Sequence, residues 1–168
     1  GFMGMVYAEK SGEDTNVAKG IFEHYLPRFT GDILPETTEG MITAISDKID
    51  TIVGCFWVGL IPSGSQDPFA LRRAAQGVVN IILNSALDIS ISVLIDKAIE
   101  IYAEKDIFTR DVQDVRNEVM EFFRNRILNI FTEKNYRKDI SEAVIAAGYD
   151  NIIDSEKRVK LLEELIKD

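Results

Sequence analysis

Apolar residues recur along most of the chain at intervals of three and four positions, which is the spacing of one face of an α-helix. The repeat is clearest between Met41 and Phe56, where Asp47, Lys48 and Asp50 lie on the flanks of the apolar stripe. The strict alternation that is typical of a β-strand persists nowhere for more than a few residues. The pattern therefore predicts an all-α fold of seven or eight helices.

Capping residues and prolines divide this pattern into segments. Gly1–Ala8 resembles the tail of a helix that is already under way, so we expect the chain to be part of a longer one. The next three predicted helices run from Asp14 or Thr15 to near Pro27, from Thr38 along the apolar stripe, and over Pro68–Leu87 with Asp67 as N-cap. The last four run from Asp88 or Ser90 to Ala103, from Thr109-Arg110-Asp111 to about Glu133, over Lys138–Ala147 and over Ser155–Lys167.

Composition and charge narrow the class of protein. The 168 residues are 46% hydrophobic and 28% charged, which suits one domain with a real core. A formal net charge of -9 does not favour non-specific electrostatic binding of a polyanion, so any contact with nucleic acid must be confined to a local basic surface. The single Cys55 and single His24 exclude an internal disulfide and a Cys/His zinc cage, and they fit a reducing, cytosolic setting. The longest apolar runs are too short to cross a bilayer.

Known catalytic patterns are not found in the sequence. It contains neither a Gly-x-Ser-x-Gly elbow nor a phosphate loop ending in Gly-Lys-Ser or Gly-Lys-Thr. Asp47 and Asp50 share a helix face and, with His24 and Asp32 upstream, are candidate ligands of a hard cation. However, the His-Asp dipeptide of metal-dependent phosphohydrolases does not occur in this chain, and a solvated helix face also explains both carboxylates.

The most informative stretch is the turn Pro62-Ser63-Gly64-Ser65-Gln66-Asp67-Pro68 with the helix start that follows it. It offers hydroxyl groups, backbone donors at a helix N-terminus, and the guanidinium groups of Arg72 and Arg73, all of which suit phosphate. The alternative is structural: Asp67 caps the helix and pairs with an arginine, while Phe69 and Leu71 pack. Both interpretations remain open at this point.

Residues Pro62–Ala75 closely resemble the signature of the beta subunit of bacterial heterotetrameric glycyl-tRNA synthetase. Blocks that agree with the same family, in the same order, are Gly1-Phe2-Met3-Gly4, His24-Tyr25-Leu26-Pro27 and Ser46-Asp47-Lys48-Ile49-Asp50-Thr51. The similarity is strong from Gly1 to about Ala103 and looser over Phe122–Ile130 and Ala143-Val144.

The resemblance implies a role in an enzyme of two alpha and two beta chains that joins glycine to its tRNA. In that family the alpha chain uses ATP with Mg²⁺ to form glycyl-adenylate, and the beta chain supplies most of the tRNA-binding surface. The resemblance further implies an HD-like helical core over residues 1–108 and a helical extension over 109–168 that leads toward an anticodon-binding domain. We expect no cofactor or catalytic residue in this segment, a cytoplasmic location, and neither DNA nor a membrane as partner.

The expected partners are glycine tRNA, the alpha subunit and a second beta subunit. The candidate RNA contacts are Ser63, Ser65, Gln66, Arg72 and Arg73, with a second, weaker basic surface at Arg124, Arg126, Arg137 and Lys138. Asp67, Pro68 and Phe69 form the structural motif, and Phe69 or Tyr136 is a candidate for base stacking. Two alternatives stay open, namely an HD-type metal-dependent phosphohydrolase using His24, Asp32, Asp47 and Asp50, or a purely structural module at a subunit interface.

Overall fold

A computed structural model describes residues 1–104 and 110–167, and these residues form eight α-helices, which confirms the all-α class. Two isolated β-bridges, Ser63–Gln66 and Ser90–Asn151, join loop residues. The helices are α1 Phe2–Lys10, α2 Thr15–Glu23, α3 Thr38–Trp57, α4 Leu71–Ser85, α5 Ile91–Ala103, α6 Val112–Glu133, α7 Lys138–Ala147 and α8 Ile152–Lys167.

Local capping signals predict most helix starts correctly. Asp14, Ser90 and Asp111 are N-caps whose side chains accept hydrogen bonds from backbone N–H groups of the first turn, as expected. Thr109, which was predicted to take part in the cap of α6, lies outside the described residues. Helix α8 begins at Ile152 rather than at Ser155, because the side chain of Asn151 accepts from the Asp154 N–H at 2.9 Å and opens the helix earlier.

Helix α3 lies at the centre of the fold and contacts α2, α4, α5 and α6. Its apolar stripe is buried as predicted from Ile45 to Phe56, whereas Ile42, which was expected in the core, is 58% exposed. Side chains from α3 to α8 join the stripe in one core cluster. The largest fully buried side chains of the cluster include Phe56, Phe123 and Phe131, each contributing about 1.5–3 kcal/mol through removal from water. No helix in the described part of the chain combines the length and apolar character that crossing a membrane requires.

Lys48 is the largest departure from the predicted pattern. The sequence placed it on the solvated flank of α3, but the residue is only 7% exposed. Its Nζ donates to the carbonyl oxygen of His24, the C-cap of α2, at 3.1 Å and to that of Leu26, in the segment after the helix, at 2.8 Å. The last carbonyls of a helix have no partner within the helix and carry its negative dipole end, so a buried ammonium is stabilised there. Burial lowers the pKa of Lys48 from its ordinary value, and the charge of Asp47 opposes this shift.

Glu23 makes the complementary connection at the N-terminus of α3. Its buried carboxylate accepts from the Thr37 backbone N–H at 3.0 Å and from the Thr37 hydroxyl at 2.5 Å. Gly40 lies against this carboxylate, and a Cβ at that position would collide with Glu23. The end of α2 and the start of α3 are therefore fixed to each other by two buried charges, Glu23 and Lys48.

Other helix ends are closed by charged side chains that come from elsewhere in the chain. Arg110 donates to the Phe56 carbonyl at 2.7 Å, near the C-terminus of α3. Arg158 donates to the Gly148 carbonyl at 2.6 Å, at the end of α7. The Asp150 carboxylate accepts from the Ser92 N–H at 2.7 Å and the Ser90 hydroxyl at 2.6 Å, at the start of α5. Although burial opposes the shift, these hydrogen bonds lower the pKa of Asp150.

We expect Lys48→Met to lower the free energy of unfolding by about 2–4 kcal/mol, because two buried carbonyl groups lose their donor. The matched control is Lys97→Met, which removes an exposed pair with Glu100 and should lower the free energy of unfolding far less. Urea unfolding of the two variants measures the difference, and equal losses would contradict the structural role of Lys48.

We expect Asp150→Asn to weaken the acid sensitivity of folding. A carboxyl group with a lowered pKa in the folded state stabilises the protein above its unfolded pKa of about 3.9, and this contribution is lost as the pH falls toward the folded value. The stability gap between the parent chain and the variant should therefore be widest near pH 7 and should narrow below about pH 4. Urea midpoints at several pH values test this, and a gap that stays constant would contradict it.

Candidate nucleic-acid interface

The turn between α3 and α4 presents its polar side chains to solvent. The backbone groups of Ser63 and Gln66 pair in both directions, with N···O distances of 3.2 and 2.9 Å, and Gly64 adopts a φ of +52° at the tip. Because these backbone groups bond to each other, the side chains of Ser63, Ser65 and Gln66 are left at the surface. All three side chains are therefore exposed, which a contact with an external ligand requires.

Asp67 lies four residues before the first residue of α4 and caps the N-terminus of this helix, so the predicted helix boundary is wrong. The helix begins at Leu71 and not at Pro68, with Ala70 at the N-cap in the left-handed region at φ 54°. The Asp67 carboxylate accepts from the backbone N–H groups of Leu71 at 2.8 Å and Arg72 at 2.9 Å. The prediction that this helix start offers free backbone donors is wrong for these two groups, because an internal carboxylate already occupies them.

The structural alternative for this turn is correct only in part. Leu71 is fully buried, as that interpretation expected, but Phe69 is 51% exposed and does not pack into the core. The Asp67 carboxylate caps the start of α4 through backbone N–H groups, as the alternative expected, but it forms no salt bridge with an arginine of the described residues. An exposed aromatic ring therefore projects beside the predicted arginines.

The guanidinium groups of Arg72 and Arg73 are accessible to solvent, and each makes one long hydrogen bond to a backbone carbonyl. Arg73 is exposed and its Nη1 lies 3.4 Å from the Arg28 carbonyl oxygen, while the partly buried Arg72 reaches the Gln66 carbonyl oxygen at 3.5 Å. Within residues 1–104 and 110–167, the salt bridges engage other basic side chains, and neither of these guanidinium groups has a carboxylate within 4 Å. Their charges are available to an outside anion.

Arg126, which was predicted on the second basic surface, approaches Arg72 instead. Burial lowers the pKa of Arg126, and the nearby charge of Arg72 lowers it further, while Asp67 and Glu133 act in the opposite direction. Asn129, with its amide oxygen turned toward Arg126, accepts from Nη1 at 3.1 Å and Nη2 at 3.0 Å. The Nε of Arg126 is buried and has no hydrogen-bond partner in the described residues. The turn 61–70 together with Arg72, Arg73 and Arg126 is called the basic corner below.

The other members of the predicted second surface are engaged by carboxylates. Arg124 pairs with Glu121 at 3.1 Å, Arg137 with Asp139 at 2.6 Å, and Lys138 lies 3.7 Å from Glu142. Exposed pairs of this kind are weak and exchange readily with solvent. They nevertheless reduce the positive charge that this surface presents.

A second concave surface opens beside the basic corner, between α3, α4 and the residues that follow α2. This cleft has a volume of about 320 Å³. Its lining residues include two exposed aromatic rings, three basic side chains and one carboxylate, namely Tyr25, Phe69, Arg28, Lys48, Arg73 and Asp47. Sequence reasoning missed this cleft, because Arg28 and Lys48 carry no signal of their own until the chain folds.

Arg28 forms a fixed wall of the cleft. Its guanidinium binds both oxygens of Asp32, with Nε at 2.8 Å and Nη2 at 3.1 Å, and its backbone N–H binds the same carboxylate at 2.8 Å. These hydrogen bonds hold the pKa of Asp32 far below its usual range. The side chain of Asp32 is only 5% exposed, so this carboxylate is committed to Arg28.

The four candidate metal ligands do not converge in the described residues. The ring of His24 packs at 4.1 Å against the ring of Tyr25, and Asp47 and Asp50 are exposed on α3. Nowhere in residues 1–104 or 110–167 do three His, Cys, Asp or Glu side chains gather in a group that could hold a metal ion. Cys55 is partly buried, and burial followed by the charge of Asp67 raises its pKa, which agrees with its interpretation as a small apolar residue.

Comparison with known proteins identifies similar chains. The family described as "Glycyl-tRNA synthetase beta subunit" matches residues 1–146. A "Glycine--tRNA ligase beta subunit" of Halalkalibacterium halodurans is 46% identical over 96% of this chain and 23% of its own length. Those of Geobacter sulfurreducens and Shouchella clausii are 47% and 42% identical, over 96% and 100% of this chain. The chain spans about a quarter of the length of these curated relatives.

We expect Asp67→Ala to destabilise the basic corner locally, because the N–H groups of Leu71 and Arg72 lose their acceptor. Loss of such a cap costs about 1–2 kcal/mol. Hydrogen exchange should show faster exchange at these two amides, with little change in α6 and α7. Asp67→Asn keeps one acceptor oxygen and should show a smaller effect. Unchanged protection at Leu71 and Arg72 would contradict the capping role.

Proposed function

The chain belongs to the glycyl-tRNA synthetase beta subunit family, and from this premise we propose that its basic corner binds tRNA within a glycine–tRNA ligase. The observation that carries the proposal is the approach of Arg72, Arg73 and Arg126 to the exposed turn 61–70. Arg72 and Arg73 have no carboxylate partner in the described residues, although the 168 residues of this chain carry a net charge of -9. An acidic chain that keeps a small set of unpaired cations suits a local contact with a polyanion.

The chemistry of these side chains suits an RNA backbone. A guanidinium group is planar and presents donors in a fork that matches two oxygens of one phosphate. Hydroxyl and amide side chains, here Ser63, Ser65 and Gln66, form the usual supporting hydrogen bonds to phosphate and ribose oxygens. Because the backbone N–H groups of Leu71 and Arg72 already donate to Asp67, the basic corner binds phosphate through its side chains.

The proposed division of labour places the chemical steps outside this segment. Activation of glycine with ATP and Mg²⁺ belongs to the alpha subunit, while this segment of the beta chain positions the tRNA and requires no cofactor of its own. Its partners are glycine tRNA, the alpha subunit and a second beta subunit. This proposal is supported by the family match and by the relatives, which are themselves named as beta subunits of glycine–tRNA ligases.

A second role, as a scaffold between protein surfaces, is favoured by the exposed apolar side chains of the first and last helices. On α1, Phe2, Met3 and Tyr7 are each more than half exposed. On α8, Leu161 and Leu165 are exposed in the same way. Apolar side chains that cluster at the surface are typical of contacts with other protein segments. RNA binding and a scaffold role are compatible, because the basic corner lies on the turn 61–70, α4 and α6, whereas the exposed apolar side chains lie on α1 and α8.

We expect the double variant Arg72→Ala and Arg73→Ala, in the complete enzyme, to bind glycine tRNA more weakly. The slope of log affinity against log salt should fall by about 1.5, because two phosphate contacts are lost. Glycine activation, measured as ATP–pyrophosphate exchange without tRNA, should be spared. The matched control, Lys10→Ala with Lys19→Ala, removes two exposed charges outside the corner and should keep the original slope. Unchanged tRNA affinity with a lower melting temperature would contradict RNA binding and favour the scaffold role.

A further inference from the structure

We propose that the cleft beside the basic corner holds one unpaired nucleotide of the bound RNA, with its base against Tyr25 and Phe69 and its phosphate on Arg73. This inference deepens the proposed function and rests on it. It assigns a chemical role to a concave surface that shares only Phe69, Ala70 and Arg73 with the basic corner.

The size of the cleft fits a single nucleotide. Its volume of about 320 Å³ lies at the lower end of the roughly 300–1,000 Å³ that is typical of small-ligand pockets. A paired base is shielded by its neighbours in the stack, so only a nucleotide that has left the helix can enter a protein cleft of this kind. The cleft is open on one side, as a nucleotide within a longer strand requires.

Two exposed aromatic rings line the cleft from different segments of the chain. Tyr25 follows α2 and is 56% exposed, and Phe69 precedes α4 and is 51% exposed. The ring of His24 packs against the ring of Tyr25, with 4.1 Å between the ring centroids. Exposed rings cost free energy in water, and flat rings beside cationic groups are the usual platform for unstacked bases.

Polar groups are placed for the remaining parts of a nucleotide. Arg73 has no carboxylate within salt-bridge distance in the described residues and can bind a phosphate. Lys48, which also lines the cleft, uses two of its N–H groups on carbonyl oxygens and adds a positive charge to the lining. The Asp47 carboxylate also lines the cleft and accepts hydrogen bonds, which favours a base that carries an amino group over uracil.

The cleft is held in shape before any ligand arrives. Arg28 is fixed by three hydrogen bonds to Asp32, and Lys48 fastens residues 24–26 to α3. On the opposite side, Asp67 fixes the start of α4 and therefore the position of Arg73. A preformed site loses little conformational entropy on binding, so a single nucleotide contributes measurably to RNA affinity.

The test compares ring variants in the complete enzyme, with unmodified glycine tRNA as the probe. Phe69→Ala and Tyr25→Ala should each lower tRNA affinity by about tenfold, the effect of losing one base-stacking contact, and should leave the salt slope unchanged because no phosphate contact is lost. Phe69→Tyr keeps a flat ring and should restore affinity. The matched control is Phe29→Ala, which removes an exposed ring that lies under Arg28 and outside the cleft lining.

The outcomes separate this inference from the proposed function. If Phe69→Ala and Tyr25→Ala bind tRNA as tightly as Phe29→Ala while the Arg72 and Arg73 double variant binds weakly, the cleft proposal is overturned and the basic corner stands. If the double variant binds normally, the proposed function fails whatever the ring variants do. Ultraviolet crosslinking of the parent enzyme gives a second measurement that needs no variant. RNA should attach to peptides containing Tyr25 or Phe69, and crosslinks confined to other segments would overturn the proposal.

Discussion

Backbone groups at the helix ends set the main physical constraint on this structure. Each α-helix leaves its first N–H groups and its last carbonyl groups without partners, and a fold that packs the eight described helices brings many such ends close to its interior. The chain meets this constraint with charged side chains from neighbouring segments. Carboxylates serve the starts of helices and cations serve their ends, in agreement with the helix dipole, through Glu23, Lys48, Asp67, Arg110, Asp150 and Arg158.

The same constraint shapes the basic corner. Because Asp67 satisfies the start of α4, the site does not depend on helix N–H groups and presents guanidinium groups instead. Arg126 and Arg72 lie close enough to raise each other's electrostatic free energy, and the buried Nε of Arg126 has no partner among the described residues. An anion bound beside the two guanidinium groups would reduce their mutual repulsion, which is a physical reason for a small basic surface to persist on an acidic chain.

Most features that depend on local sequence were predictable, although the starts of α4 and α8 were not, and contacts between distant segments were missed. The caps at Asp14, Ser90 and Asp111 follow from neighbouring residues, so the helices they begin were predicted. Lys48 was assigned to the solvated flank because a charged residue beside an apolar stripe normally lies there, whereas its acceptors are 22 and 24 residues away. In the same way, Arg126 joins Arg72 only through the packing of α6 on α4. The RNA contacts of Ser63, Ser65 and Gln66 stay predictions, although their exposure agrees with them.

Gly77 links the interior of the protein to the width of its cleft. A Cβ at this position of α4 would lie 3.1 Å from the Cε of Lys48 and 3.3 Å from the ring of Pro27, so the helix passes directly over the lysine that anchors the opposite wall. A side chain here would require Lys48 and Pro27, which both line the cleft, to shift by a few tenths of an ångström. A substitution at this buried position would therefore act on two residues that line the cleft without replacing any of them.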